Sequence, residues 1–261
     1  VMYQIMVDRF CHGEGTDALM HAKDGQNIIL HDKWDEMPFL NISENGDNFA
    51  NDFFGGNLRG IIEKLPYLSS LCVKAIYLNP VFRAYSNHRY DTADYHAIDP
   101  LLGTAEDFGA RVGKAEEYGI RLILDGVFNH TGADSIYFNR YGNYASVGAY
   151  QSKDSPYAEW YEFFDYPDGY STWWGIRTLP AIRKDCKAFQ QFIAGKNGVL
   201  SEYKAGGWRL DVADELSSDF VRQIRSVIKE KNPENLLIGE VWEDAAEKIA
   251  YGERKPYFCG E

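Results

Sequence analysis

Three carboxyl residues each stand at the polar end of a short apolar run: Asp125 in RLILDGVFNH, Asp211 in GWRLDVADE and Glu240 in LLIGEVWED. A strand that is buried on both faces reads as an almost unbroken apolar run, so an ionisable residue at its end needs a charged partner or a chemical role. Three such residues in one chain indicate one shared site. Two carboxyl groups whose pKa values are pushed apart could supply an acid and a nucleophile at the same pH.

Strand alternation predicts how two of these carboxyl groups differ. Arg209 and Asp211 fall on the same face of their strand, so we expect Arg209 to keep Asp211 ionised. Ile238, Glu240 and Trp242 share a face of the next strand, so we expect apolar neighbours to raise the pKa of Glu240. The alternative is that Arg209 and Asp211 form a structural ion pair and that Glu240 only solubilises a strand end, because structural networks also shift pKa values.

Apolar strand-like runs alternate with helical spacing along the chain, which is typical of βα units and a parallel sheet in an α/β fold. We predict strands over residues 2–7, 75–80, 121–128, 208–213 and 236–242, and helices over 58–68, 104–118, 189–193 and 218–231. The aromatic, turn-rich stretch over 131–180 is too long for an ordinary connection, so we predict a small inserted subdomain there.

Composition excludes several classes of function. The net charge of −12 argues against binding to nucleic acids or anionic membranes, and is compatible with a neutral polyhydroxy ligand. The 18 Tyr, 15 Phe and 6 Trp suit stacking on sugar rings, although we expect most of these rings to be core. No apolar run reaches the length of about 18 residues that a membrane-spanning helix needs.

The four cysteines are scattered along the chain, without the spacing of a zinc site or a disulfide framework: Cys11, Cys72, Cys186 and Cys259. We expect buried free thiols, and this composition favours the cytoplasm without fixing the compartment. The chain opens inside a predicted strand, VMYQIMVDRF, so we expect it to be a piece of a longer protein.

Seven segments occur in an order found in a known family: YQIMVDRF, FFGGNLRGIIEKLPYL, IYLNPVF, NHRYDTADYHAIDP, DGVFNH, GWRLDVADE and GEVW. Together they run from about Tyr3 to the end of the chain. In these segments the sequence resembles the α-amylase superfamily of retaining glycoside hydrolases. Within it, the sequence looks most like the neopullulanase, cyclomaltodextrinase and maltogenic-amylase members.

The resemblance implies an incomplete (β/α)₈ TIM-type barrel of about five βα units, with the site at the carboxyl ends of the strands. Residues 1–130 would form its first three strands, 131–180 an irregular B domain after the third strand, and 181–261 the continuation. By motif position Asp211 would be the nucleophile and Glu240 the general acid. Their carboxyl groups would lie roughly 5–5.5 Å apart, and the anomeric configuration would be retained.

The resemblance also implies supporting roles for six further residues. Arg209 would hold Asp211 ionised, Asp125 and His130 would bind the reacting sugar, Tyr90 would stack under that sugar, and Asp214 and Glu215 would lie near the acceptor subsite. As alternatives, His130 could be a hydrogen-bonded loop residue and Tyr90 a core residue. For His88, Trp173 and Trp174 we favour the core interpretation.

Two departures from the family pattern limit what the resemblance implies. A His-Asp pair that carries a third catalytic aspartate should follow a seventh strand, and the chain ends at Glu261 before it. We therefore expect a fragment with little or no activity alone, and exposed apolar edges that favour homo-oligomers or aggregation. Asn57 stands where an aspartate is frequent, and LPAIR lacks a carboxylate, so we expect neither a required calcium ion nor a cofactor.

The expected function is hydrolysis of α-1,4-linked glucans, with α-1,6 linkages left open, in maltooligosaccharides, cyclodextrins, pullulan or starch. Transglycosylation by the same residues is one alternative, because a sugar could replace water in the second step. A non-catalytic carbohydrate-binding or scaffold protein is another. The presence of Asp211, Glu240 and Arg209 together argues against that last class.

Overall fold

The structure is a computed structural model that describes residues 1–14, 28–39, 50–250, 252–255 and 257. The chain divides into two compact units, Val1–Leu122 and Ile123–Glu261. In the described ranges no helix has both the length and the apolar character that crossing a bilayer requires.

The described part of the first unit contains six strands and three helices. Its strands are β1 (Met2–Ile5), β2 (Ile29–Leu30), β3 (Asp52–Phe53), β4 (Ala75–Leu78), β5 (Phe82–Ala84) and β6 (Thr92–Ile98), and its helices are α1 (Leu58–Glu63), α2 (Leu65–Ser70) and α3 (Ala105–Glu117). Strands β1 and β4 pair in parallel, with Met2 opposite Ala75 and Ile5 opposite Leu78. All four residues of β4 are buried, as its unbroken apolar run predicts.

The helix predicted over 58–68 is two short helices. Asn57 caps α1, because its side-chain oxygen accepts a hydrogen bond from the Gly60 N–H at 3.0 Å. The chain then leaves the helix at Lys64, where ψ is 0°, and Pro66 lies in the first turn of α2. Proline is compatible with that position because the first turn does not use its missing N–H. A Cβ at Gly60 would overlap the Cys11 carbonyl group, so this close approach requires glycine.

The second unit holds the strands that end in the three carboxyl residues. Its elements are β7 (Arg121–Gly126, which begins two residues before the unit boundary), β8 (Phe163–Asp165), β9 (Gly169–Tyr170), α4 (Lys187–Ala194), α5 (Val199–Glu202), β10 (Gly207–Leu210), α6 (Ser218–Lys231), β11 (Leu236–Gly239), β12 (Ile249–Ala250) and β13 (Glu253–Arg254). Strand β10 pairs in parallel with both β7 and β11, and Arg209 lies opposite Asp125 and Ile238. Strands β1, β4, β7, β10 and β11, each in a parallel pairing, are separated by helices along the chain, which confirms the predicted α/β class.

Helix α6 forms where the sequence predicts it. Ser217 caps it by accepting a hydrogen bond from the Phe220 N–H at 3.3 Å. Phe220, Ile224 and Ile228 recur every four residues and are all buried, so one face of the helix faces the core. The last turn carries Lys231, a charge that suits the carboxyl end of a helix dipole.

The stretch over 131–180 has little regular structure and an aromatic interior. Strands β8 and β9 form an antiparallel hairpin, and single turns of 3₁₀ helix occur at Ala158–Trp160 and Trp173–Gly175. Phe138 is fully buried, and its ring meets the rings of Tyr161 and Tyr170 at centroid distances of 4.9 and 4.8 Å. These rings are core, as composition leads us to expect for most aromatic residues.

The three cysteines within the described ranges are free thiols, which agrees with the prediction. Cys186 is buried, but Cys72 is exposed and Cys11 is intermediate, so the expectation of buried thiols is wrong for Cys72. Cys72 follows the end of α2 in a turn with φ of 58°, which turns the chain at the surface before β4. Cys259 lies outside the described residues.

Candidate active site

The three parallel strands of the second unit bring their carboxyl ends to one edge. Asp125 is the fifth residue of β7, while Asp211 and Glu240 are the first residues after β10 and β11. The predicted strands over 208–213 and 236–242 are thus shorter at this end. Backbone bonds continue the pairing past the strand ends, from the Asp211 N–H to the Gly126 carbonyl at 3.1 Å and from the Glu240 N–H to the Leu210 carbonyl at 3.0 Å.

One guanidinium group joins all three carboxylates. Arg209 Nη1 lies 2.8 Å from Asp125 Oδ1 and 2.8 Å from Asp211 Oδ1, and Arg209 Nη2 lies 2.8 Å from Glu240 Oε1. Only 11% of the Arg209 side chain is exposed, so these are partly desolvated, charge-assisted contacts. Three carboxyl groups around one cation leave an excess of negative charge, which disfavours full ionisation of the cluster.

Glu240 is also held by the loop that follows Asp211. Its Oε2 accepts a hydrogen bond from the Val212 N–H at 2.9 Å, and its backbone carbonyl accepts one from the Ala213 N–H at 3.0 Å. Val212 has φ of 38° and ψ of 54°, a left-handed conformation that β-branched residues rarely adopt. Backbone strain of this kind is concentrated at functional sites, so the turn after Asp211 belongs to the candidate site.

The pKa order of the two carboxyl groups is opposite to the prediction. Burial, and next the nearby charge of Asp125, raise the pKa of Asp211 to about 7, although Arg209 acts to lower it. The expectation that Arg209 keeps Asp211 ionised over the whole neutral range is therefore wrong for the free protein. Desolvation and a second carboxylate outweigh the one guanidinium, because Arg209 is shared among three acids.

The prediction of a raised pKa for Glu240 is also wrong. Burial acts to raise the pKa of Glu240, but the Val212 N–H and then Arg209 outweigh it, so the pKa lies below its ordinary value. Burial is the largest single effect on the pKa of Glu240, although its side chain is 29% exposed. The hydrogen bonds that Glu240 accepts and the charge of Arg209 together exceed it, so the ionised form is favoured overall.

Four aromatic rings form a continuous series beside these carboxylates. The imidazole of His130, a buried residue, stacks on Trp173 at 5.4 Å, Trp173 stacks on Trp174 at 5.3 Å, and Trp174 meets Trp242 edge-on at 4.9 Å. Trp242 in turn shares a side-chain hydrogen bond with Glu240. The core interpretation is wrong for Trp174, which is 66% exposed. The sequence signal for this series was the Trp-Trp pair together with GEVW.

Asp214 and Glu215 lie in a 3₁₀ turn, Ala213–Glu215, which follows the strained Val212. Asp214 Oδ2 pairs with Lys248 Nζ at 3.0 Å. Glu215 Oε1 accepts a hydrogen bond from Trp174 Nε1 at 3.3 Å. Glu215 thus contacts the ring series, and both residues are engaged by a neighbouring side chain.

The sequence profile described as "Alpha amylase, catalytic domain" matches residues 4–256. The chain belongs to the α-amylase catalytic-domain family. An amylopullulanase of Thermoanaerobacterium saccharolyticum is 42% identical over 94% of this chain and 22% of its own length. Neopullulanase 2 of Thermoactinomyces vulgaris is 34% identical over 94% of this chain and 39% of its own length. This α-amylase-family chain therefore spans well under half of these relatives.

Solved structures of the α-amylase family share its fold. The cyclic α-maltosyl-(1→6)-maltose hydrolase of Arthrobacter globiformis, in complex with maltose, superposes with a TM-score of 0.75 at 30% identity. The match covers 93% of this chain and 51% of that protein. The predicted incomplete barrel is confirmed as a partial α-amylase catalytic domain with parallel strands.

Tyr90, the remaining residue predicted for the α-amylase site, lies in the first unit. It is half-buried, its hydroxyl accepts a hydrogen bond from Asn79 Nδ2 at 3.4 Å, and its ring stacks with His88 at 6.0 Å. His88 is itself held by Ser86 at 3.0 Å, which agrees with its interpretation as a packed residue. The stacking role of Tyr90 stays a prediction.

The described part of the chain places no group of three or more His, Cys, Asp or Glu residues where they could hold a metal ion. The side chain of Asn57 has structural partners. Its Oδ1 accepts hydrogen bonds from the N–H groups of Gly60 and Gly13, at 3.0 and 3.2 Å. A neutral amide suits these two donors, and it adds no charge for a cation.

Proposed function

We propose that the protein carrying this chain is a retaining α-glucan hydrolase in which Asp211 is the nucleophile and Glu240 the general acid and base. The observation that carries the proposal is the position of Arg209, whose Nη atoms lie 2.8 Å from oxygens of Asp125, Asp211 and Glu240 at one sheet edge. The names of the amylopullulanase and neopullulanase relatives support α-glucans as the substrate class.

The proposed reaction has two steps. In the first, an Asp211 carboxylate oxygen bonds to the anomeric carbon while the glycosidic bond breaks, and the departing oxygen takes the proton of Glu240. In the second, Glu240 accepts a proton from water, the water oxygen bonds to the anomeric carbon, and the ester bond to Asp211 breaks. One glycosidic bond and one water are consumed, and two inversions leave the configuration unchanged.

Below about pH 7 the free protein holds a proton on Asp211 and not on Glu240, because the pKa of Asp211 is raised to about 7 and that of Glu240 is lowered. Two acids this close titrate as a pair. A bound sugar would exclude water from the partly exposed Glu240 and favour its neutral form. Positive charge developing at the anomeric carbon would favour ionised Asp211. Substrate binding is therefore proposed to transfer the proton from Asp211 to Glu240.

Asp125 and His130 are proposed to support the reacting subsite. Both oxygens of Asp125 contact Arg209 Nη1, at 2.8 and 3.1 Å, so Asp125 fixes the guanidinium that orients the other two carboxylates. His130 is buried and its ring is fixed by Trp173, which suits a rigid hydrogen-bonding partner for a sugar hydroxyl. Neither role requires a metal ion or a cofactor.

The test is release of reducing sugar from maltotriose, β-cyclodextrin and pullulan by the full-length protein and by its Asp211→Asn and Glu240→Gln variants. Asp165→Asn, an exposed carboxylate in β8, is the matched control and should leave activity unchanged. We expect both site variants to lose activity and the first-formed product to be the α anomer by NMR. An inactive parent, or β product, would reject the proposal.

Two finer points belong to the same assay. A product longer than the substrate would show that a sugar competes with water in the second step, which is the transglycosylase alternative. We also propose that residues 1–261 alone have little activity, because this chain covers 22% of the amylopullulanase and 51% of the Arthrobacter hydrolase. Equal rates for this segment and the full-length protein would reject that second point.

A further inference from the structure

Two lysines at the base of one strand pair bind the turn that follows Asp211. Strands β12 and β13 pair antiparallel, and Lys248 and Lys255 stand directly before and after them. The Lys255 N–H donates to the Lys248 carbonyl at 2.8 Å, so the two residues are joined through the backbone. Both side chains reach residues 212–216, which we call the 212–216 turn.

Lys255 is a buried cation that binds the backbone of this turn. The residue is 5% exposed, and its Nζ donates a hydrogen bond to the Leu216 carbonyl at 3.0 Å. Burial of an ammonium group costs free energy, and an apolar residue would fill the same space without that cost. A lysine at this position therefore indicates that the bond to the Leu216 carbonyl has a role beyond packing.

Lys248 binds the same turn through a carboxylate. Its Nζ lies 3.0 Å from Asp214 Oδ2 and 3.0 Å from Glu243 Oε2. Glu243 follows Glu240 by three residues, so Lys248 connects the segment after β11 to the turn after β10. This contact is a second anchor on the 212–216 turn, two residues before the one that Lys255 holds.

The 212–216 turn needs anchors because its first residue is strained. Val212 has φ of 38° and ψ of 54°, and such conformations persist only where the surrounding structure fixes them. The turn closes on itself through bonds from the Glu215 N–H to the Val212 carbonyl at 2.9 Å and from the Leu216 N–H to the Ala213 carbonyl at 3.2 Å. These internal bonds do not fix its orientation, whereas the two lysines do.

The orientation of the turn matters for Glu240. The Val212 N–H donates to Glu240 Oε2 at 2.9 Å. Burial acts to raise the pKa of Glu240, and this N–H is the first of the effects that lower it. Hydrogen bonds weaken steeply with poor alignment, so a small rotation of the turn would remove much of that effect.

We propose that Lys248 and Lys255 are positioning residues, which hold the 212–216 turn so that the Val212 N–H stays bonded to Glu240. The inference rests on the proposed function, in which Glu240 is the general acid. Neither lysine needs to touch the sugar, because both act through the turn. They are 37 and 44 positions from Asp211 in the sequence, and the strand pair β12 and β13 brings them to it.

The pH profile of the full-length protein tests this role. Lys255→Met keeps a linear side chain and removes the ammonium group. The acid limb of kcat/KM for maltotetraose reports the first ionisation of the two coupled carboxyl groups in the free protein. A loosened turn raises the pKa of Glu240, so we expect this limb to move to higher pH by about 0.5–1 unit. Lys248→Met should move it in the same direction, and Lys255→Arg, which keeps a donor, should stay closer to the parent.

A second substrate separates this effect from general damage. Fluoride leaves α-maltosyl fluoride without a proton, so its kcat/KM depends on ionised Asp211 and not on Glu240 as an acid. Its pH midpoint should be unchanged in each lysine variant, and this rate also shows that the variant is folded. The matched control is Lys231→Met, because Lys231 Nζ likewise donates to a backbone carbonyl, that of Leu200, at 2.7 Å. It should leave both profiles unchanged.

Amide hydrogen exchange measures the turn without any catalysis. Mass spectrometry of a peptide that contains residues 212–216 should show exchange about three-fold faster or more in Lys255→Met and Lys248→Met. Lys231→Met should exchange this peptide at the parent rate. Unchanged exchange in both site variants would overturn the proposal.

The remaining outcomes are also distinct. Equal losses on both substrates, with the acid limb where the parent has it, would overturn the proposal and leave the two lysines a structural role. A parent that turns over neither maltotetraose nor α-maltosyl fluoride would reject the proposed function itself. In that case exchange alone decides whether the lysines hold the turn.

Discussion

Glu240 Oε2 accepts a hydrogen bond from the Val212 N–H at 2.9 Å, which joins the predicted acid to the residue that follows the predicted nucleophile. The bond helps to hold Val212 in its left-handed conformation, and in the same contact the Val212 N–H favours the ionised form of Glu240. The position and the proton affinity of Glu240 therefore depend on the backbone turn that directly follows Asp211.

The two carboxyl variants should differ when the leaving group is changed. Glu240→Gln should cut kcat/KM for maltotetraose by about 10³-fold or more, and much less for α-maltosyl fluoride, because fluoride leaves without a proton. Asp211→Asn should abolish turnover of both, because each needs the nucleophile. Steady-state kinetics with Asp165→Asn as the control measures this. Full activity of Glu240→Gln on maltotetraose would contradict the assignment.

The raised pKa of Asp211 predicts a pH-dependent cost to stability. Its pKa is 3.8 ordinarily and about 7 in the folded chain, so the folded state binds the proton more tightly. The resulting stability is fully present below pH 3.8 and is lost as pH rises through 7. Asp211→Asn should therefore stabilise the protein by about 1–3 kcal/mol at pH 8, and by little near pH 4.

Thermal unfolding of the parent and Asp211→Asn across this pH range measures the effect. Asp165→Asn, which removes an exposed carboxylate of the same unit, is the control variant. A gain for Asp211→Asn that grew toward acid pH would have the wrong sign and would contradict the buried, proton-binding state of Asp211.

Replacement of Arg209 should move the pH profile of activity. Arg209→Lys keeps the charge, but a single ammonium group cannot reach the three carboxylates that the two Nη atoms contact at 2.8 Å. The pKa of Asp211 should rise further, since Arg209 now lowers it. We expect kcat/KM to fall about 100-fold and its acid limb to shift to higher pH. Arg183→Lys, at an exposed ion pair, is the control.

The side chain of Asn57 should contribute to stability without a metal. Asn57→Ala removes the cap of α1 and should cost about 1 kcal/mol, whereas Asn57→Asp keeps an oxygen acceptor and should cost less. Urea unfolding measures both. Treatment of the full-length parent with a calcium chelator should leave its Tm and activity unchanged. If the chelator lowered the Tm or the activity and added calcium restored it, the protein would require a calcium ion and the prediction would be wrong.

Local sequence patterns predicted the main elements of the fold well. The apolar runs became the buried strands β4 and β7, and α6 combined a serine cap with buried residues every four positions. The single helix predicted over 58–68 failed because apolar spacing continues across Lys64, where the backbone does not. Pro66 was the visible signal of a second helix start.

The pKa shifts of the site could not be predicted from residues that are neighbours in the sequence. The Asp125 carboxylate that raises the pKa of Asp211 lies 86 positions earlier in the chain, and the donors that lower the pKa of Glu240 include a backbone N–H exposed by the left-handed turn at Val212. Strand alternation assigns side chains to the two faces of the sheet. It does not show which carboxyl group receives more hydrogen-bond donors and which one has more neighbours of like charge.

The exposure of Trp174 and Trp242 has a spectroscopic consequence. Indoles in water emit at longer wavelength than the buried Trp160 and Trp208, and dissolved quenchers reach them. A saccharide that covers these two rings would shift the emission to shorter wavelength and protect it from iodide, so the unlabelled chain carries its own optical reporter of site occupancy.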